Sequence, residues 1–156
     1  MIKKPIKKIK YPFSYSEFKK IYSKVPRIGI ELLIKTPNGV LLTLRKTRDW
    51  NGMWHLPGST LYHSESILSC INRVARDELG VKVKMKKFLG YIEYLSEEKR
   101  EKNFGTTVGL LFMCSIVSGK LRGSDQAEEI KFFKQLPKNT ISKHQSFIKN
   151  TLSKNS

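Results

Sequence analysis

Apolar residues follow two rhythms along this chain. The first is extended. RIGIELLIKT (27–36) is rich in β-formers, TPNG (36–39) places Pro where a turn wants φ near about −65°, and VLLTLRK (40–46) returns as the partner strand. WHLP (54–57) reads as a short strand, with Gly58 opening a turn. VKVKMKKFLGYIEYL (81–95) starts with alternation and reads as a long strand, followed by a charged loop, SEEKREKN (96–103). TTVGLLFMCSIV (106–117) is a mostly apolar central strand, and EEIKFFK (128–134) a final one. The second rhythm is helical. Ser14 and Glu17 form an S-x-x-E capping box ahead of Phe18, Ile21 and Tyr22, which predicts a helix over about 15–24. SESILSCINRVARDEL (64–79) predicts a second, with Ser64 as N-cap and Gly80 as stop. TISKHQSFIKNTL (140–152) predicts a closing helix with Ile141, Phe147, Ile148 and Leu152 inward. Hairpins segregated from helices, with helices on both sides, point to an α+β sandwich rather than a doubly wound sheet. No internal repeat or second domain is visible, so residues 1–156 read as one domain behind a basic tail, 1–12. That tail is expected to be mobile or tied down by an edge contact.

Composition adjusts this picture in three places. No apolar run reaches the ~20 residues that span a bilayer, and no apolar segment follows the basic N-terminus, so a cytoplasmic protein without membrane contact is expected. Cys70 and Cys114 stand far apart without a CxxC pattern, which reads as two reduced, buried thiols and argues against zinc. The net charge of +17 suggests phosphate-bearing partners. It comes from 23 Lys and 7 Arg, however, and the Lys are scattered. Phosphate and base recognition favours Arg, so nucleic acid is kept as an alternative partner and not the favoured one.

The helix over 64–79 carries the candidate chemistry. Ile67, Ile71 and Val74 form an apolar stripe, widened by Leu68, Ala75 and Leu79. The same line places Glu78 at the border of the buried face, where a carboxylate needs a cation. Spacing alone favours, by a little, an ordinary amphipathic helix with an Arg73–Asp77 pair. The preceding Pro57-Gly58 turn adds carbonyl oxygens that could face the helix. A carbonyl and a carboxylate make an oxygen-only set suited to Mg²⁺ or Mn²⁺.

These residues resemble the signature of the Nudix hydrolases, G-x5-E-x7-R-E-U-x-E-E-x-G-U, where U is a bulky aliphatic. Glu65, Arg73, Glu78 and Gly80 match at the right spacing, and Asp77 is a conservative departure. Ser59 replaces the Gly, although Gly58 precedes it, and Val74 replaces the Glu that in most members binds metal or acts as base. The chain is most similar to the GDP-mannose mannosyl hydrolase branch, which also carries an aliphatic residue there. Further likenesses are Phe18, Ile21 and Pro26 (one residue out of step), Glu31 in the first strand, Leu41-Leu42-x-x-Arg45, Gly52-x-Trp54-x-x-Pro57-Gly58, and the Asp125-Gln126 turn.

The resemblance implies a Nudix-type α/β/α sandwich with a mixed sheet and a signature loop-helix-loop. It implies a hydrolase of a nucleoside diphosphate derivative, a nucleotide sugar of GDP-mannose type. Mg²⁺ or Mn²⁺ would be held by the Gly58 carbonyl, Glu78 and Gln126. Arg45 would contact the phosphates, with Glu31 also placed on the substrate side. Arg73 would support the leaving diphosphate or orient Glu78, and Glu65 would hold Arg73 or the loop. The partner is a nucleotide-containing small molecule, with pairing into a homodimer through the N-terminal region. Three positions depart from the branch: Ala127 where its His base stands, Thr60 where an Arg follows the glycine turn, and Gly109 where a Tyr lies in the strand. Glu128 is the nearest replacement base, with His63 second. His55 reads as a strand residue lining the pocket and His144 as a surface helix residue. Trp50 and Trp54 cover either a base or the core, with the core favoured for Trp54. The alternative reading is a catalytically impaired Nudix-fold protein that binds nucleotide or RNA.

Overall fold

The computed structural model of the chain describes residues 8–46, 50–95, 105–125, 127 and 129–154. Helix α1 (Tyr15–Tyr22) begins at the capping box: Glu17 N–H donates to the Ser14 hydroxyl (3.2 Å) and Ser14 N–H to the Glu17 carboxylate (2.8 Å). None of its residues is buried. It is held by rings instead, with Phe13 5.8 Å from Phe18 and 5.9 Å from Tyr62 between centroids.

The seven-stranded sheet is built around β1 (Arg27–Thr36). Its end turns back into β2 (Gly39–Leu44), its N-terminal half pairs with β4 (Gly58–Thr60), and it runs parallel to β6 (Thr107–Gly119). The long β5 (Val81–Tyr94) pairs with β6 and forms the outer edge. Strands β3 (Trp54–His55) and β7 (Ile130–Phe133) both pair with β2. Gly39 lies at φ 116°, and a Cβ there would sit 2.1 Å from the Phe133 carbonyl oxygen, so only glycine lets the hairpin pass under β7. Gly58, expected to open a turn, starts a short strand instead, because Ile28 and Leu32 on β1 are within ladder distance of Leu61 and Pro57.

Alternation along β1 sorts the core. Ile30, Leu32 and Ile34 pack under α2 (Ile67–Val74) with Phe112 and Cys114. Leu33 faces the other way, with Leu111, Ile92 and Ile148 of α3 (Ser142–Ser153). Helices therefore cover both faces of a mixed sheet, and the fold is the α+β, α/β/α sandwich expected. Both cysteines are free and buried. Among the described residues no helix is long and apolar enough to cross a membrane.

The second helix departs from expectation in detail. Its N-cap is Ser66, whose hydroxyl accepts from Ser69 N–H (3.1 Å), and not Ser64, which sits at φ 60° in the preceding turn. Ile67 and Leu68 are exposed and Cys70 is buried in their place, since the first turn projects beyond the sheet. After Val74 the helix widens into a π turn (Ala75–Leu79), closed by Gly80 at φ 74°. Ile141 and Ile148 are buried on the closing helix as expected, whereas Phe147 and Leu152 are only partly so.

Candidate functional site

The turn and the helix meet at Gly58 and Glu78. On β4, Leu32 N–H donates to the Pro57 carbonyl and Leu61 N–H to the Ile28 carbonyl, both at 2.9 Å. Hydrogen bonding alternates along an antiparallel pair, so Gly58, opposite Glu31, turns its N–H and carbonyl away from β1. Its N–H donates to the Glu78 carboxylate. A Cβ on Gly58 would lie 2.7 Å from the Ile30 carbonyl oxygen, so the approach requires glycine.

Glu78 is only 4% exposed. Burial drives its pKa up to about 8, against the pull of the Gly58 N–H, Arg45 and Arg73. A buried carboxylate with one backbone donor is undercompensated, and a divalent cation beside it would remove the cost. The adjacent Gly58 carbonyl is a second hard oxygen. Among the described residues no group of three His, Cys, Asp or Glu could hold a metal ion. Gln126, the third expected ligand, lies outside the described residues.

Beside this pair stands a clamp. Arg73 Nε donates to Glu65 Oε1 (2.7 Å) and Nη2 to Oε2 (2.9 Å), a bidentate pair. Nη2 also reaches the Thr60 carbonyl (2.8 Å), and the guanidinium lies 4.1 Å from the Tyr62 ring centroid. Tyr62 N–H donates back to Glu65 (3.0 Å). Arg73 therefore fastens the loop after β4 to the helix that carries Glu78. It does not pair with Asp77, which Arg76 binds instead (3.0 Å).

A cavity of about 550 Å³ opens between these elements, α1 and the N-terminal segment. Glu31, Arg45, Gly58 and Glu78 all line it, and so does Ala127. Arg73 and Glu65 stand beside it. Glu128 lies outside the described residues. His63 is exposed in the turn before α2 and does not line the cavity. Trp54 is buried in the core against Phe133, whereas Trp50 lines the cavity. The N-terminal segment is tied down from residue 8 onward: Ile9 is buried and its N–H donates to Asp125 (3.3 Å).

Three groups that the sequence reading missed complete the wall. His144, expected on the surface, is 3% exposed, because α3 presents it to the sheet with Ile148 one turn on. Its Nδ1 accepts from Leu56 N–H (3.0 Å), so the ring proton sits on Nε2, directed at Glu31 Oε1 (3.1 Å) and the Tyr94 oxygen. Tyr94 O–H donates to Glu31 (2.9 Å). Burial alone would raise the Glu31 pKa, but the His144 ring, Tyr94 and Arg27 outweigh it and hold the carboxylate below its ordinary value. Gly109 makes room for this cluster: a Cβ there would be 2.7 Å from Glu31 Oε2. His55 lines the cavity as expected. Burial, then Arg45 and His144, push its pKa well down, so its ring is neutral. It donates from Nδ1 to the Leu56 carbonyl (2.7 Å) and accepts from Thr43 at Nε2 (3.1 Å).

The third missed group is Arg27. Its Nη1 donates to the Thr60 hydroxyl (2.9 Å) and its Nε to the Thr107 hydroxyl (3.2 Å). Thr60 stands where an Arg was expected and Gly109 where a Tyr was, and the cavity takes both groups from other strands, as Arg27 and Tyr94. The one local signal for Arg27 is parity, since Arg27, Gly29 and Glu31 share a strand face.

The family model described as the NUDIX domain matches residues 25–151. The low-salt glycan biosynthesis protein Agl8 of Haloferax volcanii is 36% identical over 78 residues, 50% of this chain and 50% of that protein. The chain thus spans about half the length of that relative. An ADP-ribose pyrophosphatase of Methanocaldococcus jannaschii is 28% identical over 126 residues, 80% of this chain and 72% of its own. Among solved structures, a MutT NUDIX hydrolase from Burkholderia pseudomallei superposes with a TM-score of 0.72 at 22% identity, covering 80% of this chain and 97% of that one. At that identity the likeness concerns the fold.

Proposed function

Because the chain belongs to the NUDIX domain family, we propose that it is a divalent-cation-dependent hydrolase of a nucleoside diphosphate carrying a second group, in the first place a nucleotide sugar. The observation that carries this reading is the buried Glu78 carboxylate beside the outward-facing backbone of Gly58, on the wall of a nucleotide-sized cavity. Bound there, Mg²⁺ or Mn²⁺ supplies charge neutralisation for the diphosphate. Gly58 and Glu78 would hold it, with Gln126 as the further expected ligand. Arg45 binds phosphate oxygens. Arg73 acts as a positioning residue: with Glu65 it keeps Gly58 and Glu78 in register. Glu31, ionised and braced by Tyr94 and His144, offers an acceptor to substrate hydroxyls. Val74 is 1% exposed in the core under the sheet, so the site operates with Glu78 as its helix carboxylate. The two cavity histidines spend both ring nitrogens on protein partners, which leaves the general base to Glu128 or to solvent.

A panel of nucleotide sugars and dinucleotides with Mg²⁺ and Mn²⁺ tests this. Release of sugar plus nucleoside diphosphate, or of two phosphorylated products, is expected. In ¹⁸O water the label enters the sugar if carbon is attacked and a phosphate if phosphorus is. No turnover across the panel sinks the proposal, and a Glu78→Gln variant equal to the parent sinks the metal assignment. The second reading, a nucleotide binder without turnover, draws on one observation: Ala127 is buried on the cavity wall and brings no ionisable group.

A further inference from the structure

The cavity has two chemically different ends. Around Gly58 it is carboxylate, guanidinium and backbone. Under α1 it is ring after ring: Phe13, Tyr15 and Phe18 from the N-terminal elements and Tyr62 from the loop before α2, while Trp50 also lines the cavity. These rings are not core, since α1 buries none of its residues. Trp50 is held at φ 61°, an uncommon conformation for a bulky residue.

Arg27 stands among these rings, its guanidinium 5.7 Å from the Phe18 ring centroid. Its hydrogen bonds go to the hydroxyls of Thr60 and Thr107, and among the described residues no carboxylate reaches ion-pair distance of it. Burial and then Arg45 act against its charge. It is a donor-only group. The two threonine hydroxyls accept from it and fix the plane of the guanidinium. The next residue on this face is Gly29, which leaves the floor open.

The geometry points to this end of the cavity as a nucleobase compartment, in which a flat ring lies against Phe18 and its neighbours and a ring carbonyl accepts from Arg27. This rests on the nucleotide reading given above, though not on turnover. A phosphate fits this end poorly, because aromatic walls cannot solvate its remaining oxygens, and Arg45 with the Glu78 corner already serves that charge. The donor character of the wall selects among bases. Guanine and uracil present carbonyl oxygens. Adenine has no ring carbonyl: its amino group meets Arg27 donor against donor, and only its ring nitrogens accept, so it fits this wall less well.

The test is equilibrium binding of GDP, UDP and ADP to the full chain with Mg²⁺, followed by calorimetry. These ligands lack the second group, so the readout does not need hydrolysis. GDP and UDP should bind about tenfold tighter than ADP or better. Arg27→Met should bring both down to the ADP level and leave ADP within about twofold, while Phe18→Ala should weaken all three by about fivefold or more. Equal or tighter binding of ADP by the parent overturns the compartment, and so does an Arg27→Met variant that weakens all three alike, which would mark a phosphate contact. If Arg27→Met fails to fold, the ranking by the parent decides alone. A nucleotide that binds with the ranking but is never turned over, in any linked form, sinks the hydrolase and keeps the compartment. Absence of all binding sinks both.

Discussion

Two buried carboxylates face the same cavity, and their surroundings push them in opposite directions. Glu78 has one backbone donor and two guanidiniums acting at a distance, and burial drives it up to about 8. Glu31 is more richly served. His144 and Tyr94 hydrogen-bond to it, Arg27 adds its charge from a distance, and together they hold it ionised despite its burial. On the proposed reading, one corner is an incomplete site that would gain by binding a cation, and the other is already complete. Groups driven apart in this way mark the sites where acid, base and metal roles divide.

The largest effect should come from the incomplete corner. Glu78→Gln should lower turnover by at least about 100-fold, since charge stabilisation by a bound cation amounts to several kcal/mol. The same change should leave metal-free stability equal or higher. Glu78 titrates near 8 when folded, against 4.5 as its ordinary value, so the folded chain binds more protons in that window. Metal-free stability should therefore fall as pH rises from about 4.5 to 8. Glu31 has the opposite sign, with stability lost as pH drops below its ordinary range. Urea midpoints across pH should show both limbs. Mg²⁺ should flatten the upper one, and Glu78→Gln should abolish it. A flat profile in chelated parent protein would mean that Glu78 is already compensated, and the contrast would collapse.

The complete corner should break by stability first. His144→Ala removes one donor from Glu31 and the acceptor for Leu56 N–H, at a cost of about 2–4 kcal/mol in urea unfolding. Gly109→Ala drives a methyl group toward Glu31 and Tyr94 and should cost ~1–3 kcal/mol. The smallest change is a control on the helix that carries Glu78. Ser66→Ala removes an N-cap that does not line the cavity and should cost about 1 kcal/mol with little change in kcat/KM.

The same contrast explains what could be read from the sequence. The Glu78 corner is local: turn, loop, Arg73 and Glu78 lie within a single stretch, and Gly80 at φ 74° ends it where the spacing said it would. The capping box of α1 was legible for the same reason. Errors within that stretch were of register. Two serines, Ser64 and Ser66, compete to cap the helix, and hydrophobicity alone does not show that Ile67 and Leu68 project past the sheet edge. The Glu31 corner is assembled from residues 63 and 113 positions away. No periodicity links His144 to Glu31, and a histidine on an otherwise polar helix looks like surface until the sheet is placed beneath it. Gly109 and Thr60, read as losses from the sequence, stand beside the groups that replace them.

The π turn over Ala75–Leu79 has one more consequence. It holds an extra residue in a turn that an α-helix would close with fewer, so it records length rather than side-chain identity. The surrounding fold could absorb removal of one residue here by tightening to regular α geometry, but Glu78 would rotate off the face that meets Gly58. The weak point of this segment is therefore its count. A library of single-residue deletions across 75–77 should yield folded proteins without activity, a class of variant that substitutions at the same positions would rarely produce.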